Sequence, residues 1–287
     1  MAKQVMRKFY VAVNHFLRGG KWDSDLEEAF GLLISASERS QNCDVEILLA
    51  VSKDDLAFFS KKFQKHPNIT ISTLKHPDQK PQLADILSCI DKIERVDAGT
   101  DYCVYLNSDI CVPDFFFDFV DLNLNLVPNG GGLIINRKDV ISGAIHDMKP
   151  SDDLRLLVHF GLDCFIFPRS GYEKFSFGSV SIGLPPIGML FTVNMCSTLP
   201  SVKLIHNPMV TWHYGDGQQS DWHREEFRPQ IKKNRLAAFD ALDVLLKSLK
   251  EKGGGGLEGI GVSSRLILKY KKNRRNRNKQ KSSGVGL

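Results

Sequence analysis

The chain lacks the features of membrane-spanning and secreted proteins. Its 287 residues contain no apolar run long enough to cross a bilayer. Residues 1–8 include basic side chains and lead directly into a strand-like segment. They lack the apolar region and the small-residue cleavage site of a secretory signal. We therefore expect a cytoplasmic protein, with any contact to a membrane confined to its surface.

The sequence also lacks paired cysteines. None of its six cysteines forms a C-x-x-C motif, and most of them lie in apolar segments. They are Cys43, Cys89, Cys103, Cys111, Cys164 and Cys196. This pattern argues against a zinc site or a disulfide framework and favours buried free thiols in a reducing compartment.

Acidic residues are absent from the C-terminal end. From Gly259 onward there are nine Lys or Arg and no Asp or Glu, so the remainder has 38 − 9 = 29 basic and 33 acidic residues. We predict one domain at 1–250, a glycine-rich linker at 251–264 and a disordered basic tail at 265–287. The tail would bind an anionic membrane surface, bind nucleic acid through non-specific charge, or simply add solubility. With Tyr270 as its one aromatic residue, it is not expected to read a nucleic-acid sequence.

Strand-like and helix-like segments alternate through the first 113 residues. Strands are predicted at 9–13, 45–51, 69–74 and from Tyr102, with helices at 24–34, 54–63 and 81–96 between them. Further strands are predicted at 131–136, 163–168 and 202–206, a functional loop at 177–186 and a helix at 225–249. This order predicts an α/β fold with a mostly parallel central sheet, helices on both faces and a short mixed C-terminal part.

The fourth strand ends in a polar cluster. The apolar run from Tyr102 to Leu106 is followed by Asn107-Ser108-Asp109 and then by Pro113. Ligands of open α/β sheets bind where strands end, and a carboxylate there can hold Mg²⁺ or Mn²⁺ against a diphosphate. The alternative is that Asp109 only caps the turn before the proline.

A second cluster lies late in the chain. Three of the eight histidines, at 206, 213 and 223, fall close to Trp212 and Trp222. An imidazole suits Mn²⁺ better than Mg²⁺, and tryptophan rings can stack on a sugar or a base. A purely structural turn is the alternative for each histidine taken alone.

The alternation, the acidic cluster after the fourth strand and the helix start at Gln79–Leu87 resemble the nucleotide-diphospho-sugar transferase (GT-A) fold. Glycosyltransferases of that fold carry a D-x-D motif here, and Asn107 replaces its first acid. The resemblance implies transfer of a sugar from a nucleotide-diphosphate sugar to a glycan, lipid or protein acceptor, with Mn²⁺ or Mg²⁺ as the cofactor.

The resemblance also implies roles for single residues. Asp109 and His213 would hold the metal, and Asp163 would contact the reacting sugar or act as the base. Contacts to the nucleotide sugar are implied for Asn14, Arg18, Lys53, Asp54, Lys80, Asn107 and Ser108. Many relatives carry an acid after a glycine-rich stretch, which Ser181–Gly188 resembles here. In this chain that acid is absent, because Met189-Leu190-Phe191 follows Gly188.

Two other functions fit the same residues. A sugar nucleotidyltransferase needs a glycine-rich phosphate loop with a basic residue after the first strand, for which Arg18-Gly19-Gly20-Lys21 is the only candidate. A non-catalytic relative would bind a glycan or an anionic surface. The missing acids at position 107 and after Gly188 would then reflect lost catalysis.

Overall fold

The computed structural model describes residues 6–75, 80–93, 100–140, 157–184, 186–206, 210–214 and 225–251. The predicted tail, and Trp222 and His223 of the late cluster, lie outside these residues, as does the linker beyond Glu251. Within the described part of the chain, no helix has the length and apolar character to span a membrane. All six cysteines are buried free thiols, as predicted.

The strands and helices follow the predicted alternation. The strands are β1 (Arg7–Asn14), β2 (Cys43–Val51), β3 (Ile69–Thr73), β4 (Asp101–Leu106), β5 (Ile110–Cys111), β6 (Gly132–Val140), β7 (Leu157–Pro168), β8 (Val202–Ile205) and β9 (Trp212–Tyr214). The helices are α1 (Ser24–Arg39), α2 (Leu56–Phe63), α3 (Leu83–Leu87), α4 (Phe116–Leu124), α5 (Arg169–Tyr172), α6 (Ile187–Thr198) and α7 (Arg228–Glu251), with 3-10 turns at Ile90–Lys92 and Glu225–Phe227.

One sheet connects all the strands, in the order β3-β2-β1-β4-β7-β6-β9-β5, and β8 pairs with β6. The first four strands are parallel to one another where they pair, and β7 is antiparallel to both β4 and β6. The prediction of a mostly parallel sheet is confirmed. Because β7 is antiparallel to β4, it runs back past the end of β4.

The sheet is covered on both faces, as predicted. Alternate residues of β1 divide between the two cores: Phe9 and Val11 face α1, α2 and α4, whereas Tyr10 and Ala12 face α3, α6 and α7. A parallel strand buried on both faces is a near-continuous apolar run, which is why β1 and β4 were recognisable in the sequence.

One predicted helix is shorter than expected and one helix was not predicted. The described part of the helix predicted at 81–96 is the short α3 followed by the 3-10 turn, and between them the Ser88 hydroxyl and the Cys89 thiol bond to carbonyls three residues back. The helix α6 was not predicted. It is apolar on nearly all sides and buried, so it shows no amphipathic period.

Gly188 allows α6 to lie directly against β7. A Cβ at Gly188 would be 2.7 Å from the Leu162 carbonyl oxygen, whereas a Cβ at Gly31 in α1 would meet nothing within 4 Å. Gly188→Ala should therefore lower the free energy of unfolding by about 1–3 kcal/mol through overpacking. Gly31→Ala should raise it by up to about 1 kcal/mol through helix propensity. Urea unfolding of both variants tests this, and an equal gain in the two would contradict the close contact.

Candidate active site

The turn after β4 brings Asp109 against β9. Ile110 of β5 pairs with His213 of β9, so the two short strands place His213 beside the preceding residue. His213 Nε2 lies 3.2 Å from Asp109 Oδ2. Burial alone would raise the pKa of Asp109, but the hydrogen bond and charge of His213, with a smaller contribution from Arg137, lower it below its usual value. Asp109 is therefore an ionised carboxylate at the edge of the sheet.

One carboxylate oxygen of Asp109 lacks a partner. The second oxygen of Asp109, Oδ1, is buried and has no hydrogen-bond partner, and a buried oxygen of this kind calls for an explanation such as a bound ion. Among the described residues, no three His, Cys, Asp or Glu side chains converge as a metal-binding group. If a divalent ion were held by Asp109 and His213, its other ligands would have to come from elsewhere, such as a phosphate or water.

Asn107 and Asp163 meet across the β4–β7 ladder. Leu106 pairs with Cys164 in the antiparallel register. Asn107, which follows Leu106, therefore lies opposite Asp163, which precedes Cys164. Asn107 Nδ2 donates to Asp163 Oδ1 at 2.8 Å, and the Tyr105 hydroxyl donates to Asn107 Oδ1 at 3.0 Å. Burial raises the pKa of Tyr105 well above its usual range, and the nearby carboxylates add to this. Tyr105 therefore remains a donor, and both polar groups of Asn107 have partners.

Arg137 completes this cluster and was missed in the sequence. It is buried, with its Nη1 3.2 Å from Asp163 Oδ2. The apolar run predicted as a strand stops at Asn136, and polar residues at a strand end were the one signal that could have drawn attention to Arg137.

His15, beside the site, was also missed. It is buried, and its Nδ1 accepts a hydrogen bond from Trp22 Nε1 at 3.3 Å. Burial lowers its pKa to about 3, partly offset by the charge of Asp109. A small cavity separates its side chain from Asn107 and Ser108. His15 thus packs behind the turn as a neutral imidazole.

The residues predicted to contact the nucleotide sugar differ in their exposure. Asn14 is buried at the end of β1, where its Nδ2 donates to the Ala50 carbonyl at 2.8 Å. Lys53 and Asp54 are exposed in the turn after β2. Lys80 is half-buried, with its Nζ 4.4 Å from the centre of the Phe227 ring.

Arg18 lies on a tight hairpin. The backbone groups of Arg18 and Lys21 bond to each other in both directions, and Gly19 and Gly20 have φ values of 56° and 77°. A Gly-Gly turn with positive φ closes a two-residue hairpin. The Arg18 side chain is largely exposed and lies 3.5 Å from Asp23.

The glycine-rich loop at 177–186 is held against α7 and the start of α3. Ser181 donates its N–H to Asn234 and accepts from the amide of the same side chain, at 2.9 and 2.7 Å. The Ile182 N–H bonds to the Pro81 carbonyl. The first turn of α6, which follows the loop, contains no acid.

No protein-family model and no curated protein matches the chain. Among solved structures, the chain is similar to residues 1–349 of TarS from S. aureus in complex with UDP-GlcNAc, with a TM-score of 0.51 and 13% identity over 90% of this chain and 77% of that one. The same TarS fragment in complex with UDP has a TM-score of 0.50 and 11% identity over 84% and 72%.

A mannosyltransferase from Pyrobaculum calidifontis, in complex with GDP-Man and Mn²⁺, has a TM-score of 0.47 and 10% identity over 88% of this chain and 76% of that one. A TM-score below 0.5 does not establish a shared fold. The similarity to TarS, at its low identity, concerns the fold alone, and the predicted GT-A-like fold is confirmed.

The depressed pKa of His15 predicts a specific pH dependence of stability. Its folded pKa of about 3 lies below the usual value of 6.5, so below pH 6.5 the unfolded chain binds a proton that the folded chain does not. Between pH 7 and pH 5 this should cost the wild type about 2 kcal/mol of unfolding free energy. His15→Gln should lose this share of the pH dependence.

Chemical unfolding at a series of pH values measures the effect. His66, which lies on the surface beside Glu38, gives the control variant His66→Gln. Equal pH dependence in the wild type and His15→Gln would contradict a neutral, buried His15.

Proposed function

We propose that the chain is a glycosyltransferase that moves a sugar from a nucleotide-diphosphate sugar to an acceptor hydroxyl, with a divalent metal. The observation that carries the proposal is the convergence of Asp109, His213, Asn107 and Asp163 at the carboxyl end of β4. In open α/β sheets, this edge is where ligands bind. The TarS structures with UDP-GlcNAc and UDP support a nucleotide-sugar ligand for a chain of this fold.

Asp109 and His213 are the proposed metal ligands. A bound Mn²⁺ or Mg²⁺ would supply positive charge to the diphosphate as it leaves. The ionised Asp109 provides a hard oxygen ligand and His213 a nitrogen ligand, which suits Mn²⁺. The Asp109 Oδ1 that lacks a partner is the atom best placed to gain one.

Asp163 is the proposed catalytic residue. It would accept a hydrogen bond from the reacting sugar or take the proton of the acceptor hydroxyl. As that proton leaves, the acceptor oxygen bonds to the anomeric carbon, and the bond from this carbon to the diphosphate oxygen breaks. Since α6 offers no acid in its first turn, Asp163 is the acid proposed to serve both the donor and the acceptor.

The nucleotide is proposed to lie over the ends of β1 and β2. Lys53 and Asp54 are exposed there and open to a base or ribose. Asn14 has a buried Oδ1 without a hydrogen-bond partner, which suits a ligand donor. Ser108, Lys80 and Arg18 remain proposed contacts to the diphosphate or sugar.

The nucleotidyltransferase alternative is not favoured. Its phosphate loop would need free backbone N–H groups after β1, but the N–H groups of Arg18 and Lys21 are bonded within the hairpin. The glycine pair therefore forms a closed turn. The proposed contact of the basic tail with an anionic surface concerns residues outside the described ranges.

Nucleotide and metal binding can be tested without knowing the acceptor. In thermal-shift measurements with UDP, GDP, UDP-GlcNAc and GDP-mannose, one nucleotide family should raise the melting temperature further when Mn²⁺ is added. Asp109→Asn should remove the metal-dependent part of the shift, because it removes the charged ligand. The surface variant Asp114→Asn, which loses an exposed pair with Arg39, should keep it. A metal-dependent shift that survives Asp109→Asn would contradict the assigned site.

The role of Asp163 is tested by turnover. Asp163→Asn should lower the rate of nucleotide-sugar hydrolysis by about 10²–10⁴-fold, the range for loss of an acid–base group. Binding of the free nucleotide diphosphate should not change, because the proposed contact is to the sugar or acceptor. Asp118→Asn, which affects only the exposed bonds to Asn42, is the control. Unchanged hydrolysis by Asp163→Asn would exclude Asp163 from the reaction.

A further inference from the structure

Arg137 is the buried cation of the site, and the proposed function gives it no role. Its Nη1 lies 3.2 Å from Asp163 Oδ2, and only 11% of its side chain and 15% of that of Asp163 are exposed. Its charge also helps to lower the pKa of Asp109. Arg137 is therefore a buried cation paired with Asp163 and close enough to Asp109 to influence its ionisation.

Irregularities in the β6–β7 ladder place this pair. Ile135 pairs with Cys164 and Asn136 with Leu162, so Asp163 has no partner position on β6. The next paired residue of β6 is Lys138, which pairs with Val158, so Arg137 lies at a second register shift. Bulges of this kind occur next to active sites, where they re-aim a side chain. Both members of the ion pair therefore lie where the register of the ladder shifts.

Stability alone does not explain the pair. Removing two charges from water costs several kcal/mol per ion, and well-packed apolar residues in place of a buried pair are often no less stable. Here the pair lies at the sheet edge, and 15% of the Asp163 side chain is exposed. Asn107 donates a hydrogen bond to one carboxylate oxygen, and Arg137 forms an ion pair with the other, so both oxygens of Asp163 have an oriented neighbour.

We infer that Arg137 is a positioning residue that, with Asn107, holds the ionised Asp163 carboxylate in one orientation toward the sugar of the donor. This inference rests on the proposed function. Arg137 acts through Asp163 and has no required contact with the nucleotide.

The amide at position 107 fits the same arrangement. Asn107 Nδ2 is 2.8 Å from Asp163 Oδ1, so an acid at 107 would bring two carboxylates together, which strongly disfavours ionisation of both. Of the two facing residues, only Asp163 of β7 carries a carboxylate. The exchanged variant Asn107→Asp/Asp163→Asn should therefore fold, whereas Asn107→Asp alone should be less stable.

Calorimetric binding tests the role of Arg137. The probes are UDP-GlcNAc with UDP, and GDP-mannose with GDP, measured on the full chain with Mn²⁺. Arg137→Met should weaken binding of the nucleotide sugar by about tenfold or more, the value of a hydrogen bond to a charged group. Binding of the matching diphosphate should change by less than about twofold. Arg137→Lys, which keeps the charge, should recover part of the loss.

A double-variant cycle separates action through Asp163 from direct action. In an Asp163→Asn background, both substitutions of Arg137 should have little further effect on sugar binding. The double variants leave no carboxylate unpaired, so they and Arg137→Lys carry the test if Arg137→Met does not fold. Equal weakening of nucleotide and nucleotide sugar, or an undiminished loss in the Asp163→Asn background, would overturn the inference.

The two proposals fail in different ways. If the wild type binds none of the four probes, the glycosyltransferase proposal is overturned and the role of Arg137 with it. If the wild type binds a nucleotide sugar and the Arg137 variants bind it equally well, only the role of Arg137 is overturned.

Discussion

The site depends on the antiparallel pairing of β7 with β4. This pairing sets Asp163 opposite Asn107, at the point where β4 leaves the sheet for the turn that contains Asp109. A strand parallel to β4 would end at this edge and continue into a loop. The antiparallel β7 instead runs past the edge, so a residue from the interior of β7 can lie there. Asp163 is contributed by the interior of β7, next to Cys164, which pairs with both β4 and β6.

This arrangement explains an acidic motif with an amide in its first position. Two acids on one short turn are stable when a cation lies between them. In this chain an acid from another strand already lies 2.8 Å from position 107, and a buried arginine neutralises it. The amide joins the two strands without adding charge, so the contacts between them need no bound cation. The asparagine is consistent with an intact site and does not require lost catalysis.

The parts that could be predicted from the sequence are those with a local signal. Strands buried on both faces, such as β1 and β4, are continuous apolar runs, and Asp109 followed one of them directly. The pairing of His213 with Asp109 was expected only from the family resemblance, because the two residues are far apart in the chain. Arg137 and α6 had no such signal. Arg137 leaves the ladder at an irregularity that pairing alone reveals, and a helix buried on nearly all sides has no polar face to set its period.

The layer behind the turn limits how the site can respond to a ligand. His15 is neutral and bonded to Trp22, so it adds no charge next to Asp109. Asn14, the preceding residue, ties the ends of β1 and β2 together through the Ala50 carbonyl. The turn at 107–109 is therefore supported from below by uncharged groups, while its charges are arranged along the sheet edge by β6, β7 and β9. A ligand anion that approached this edge would meet side chains already oriented by hydrogen bonds and ion pairs. This reduces the entropy cost of ordering the site when a ligand binds.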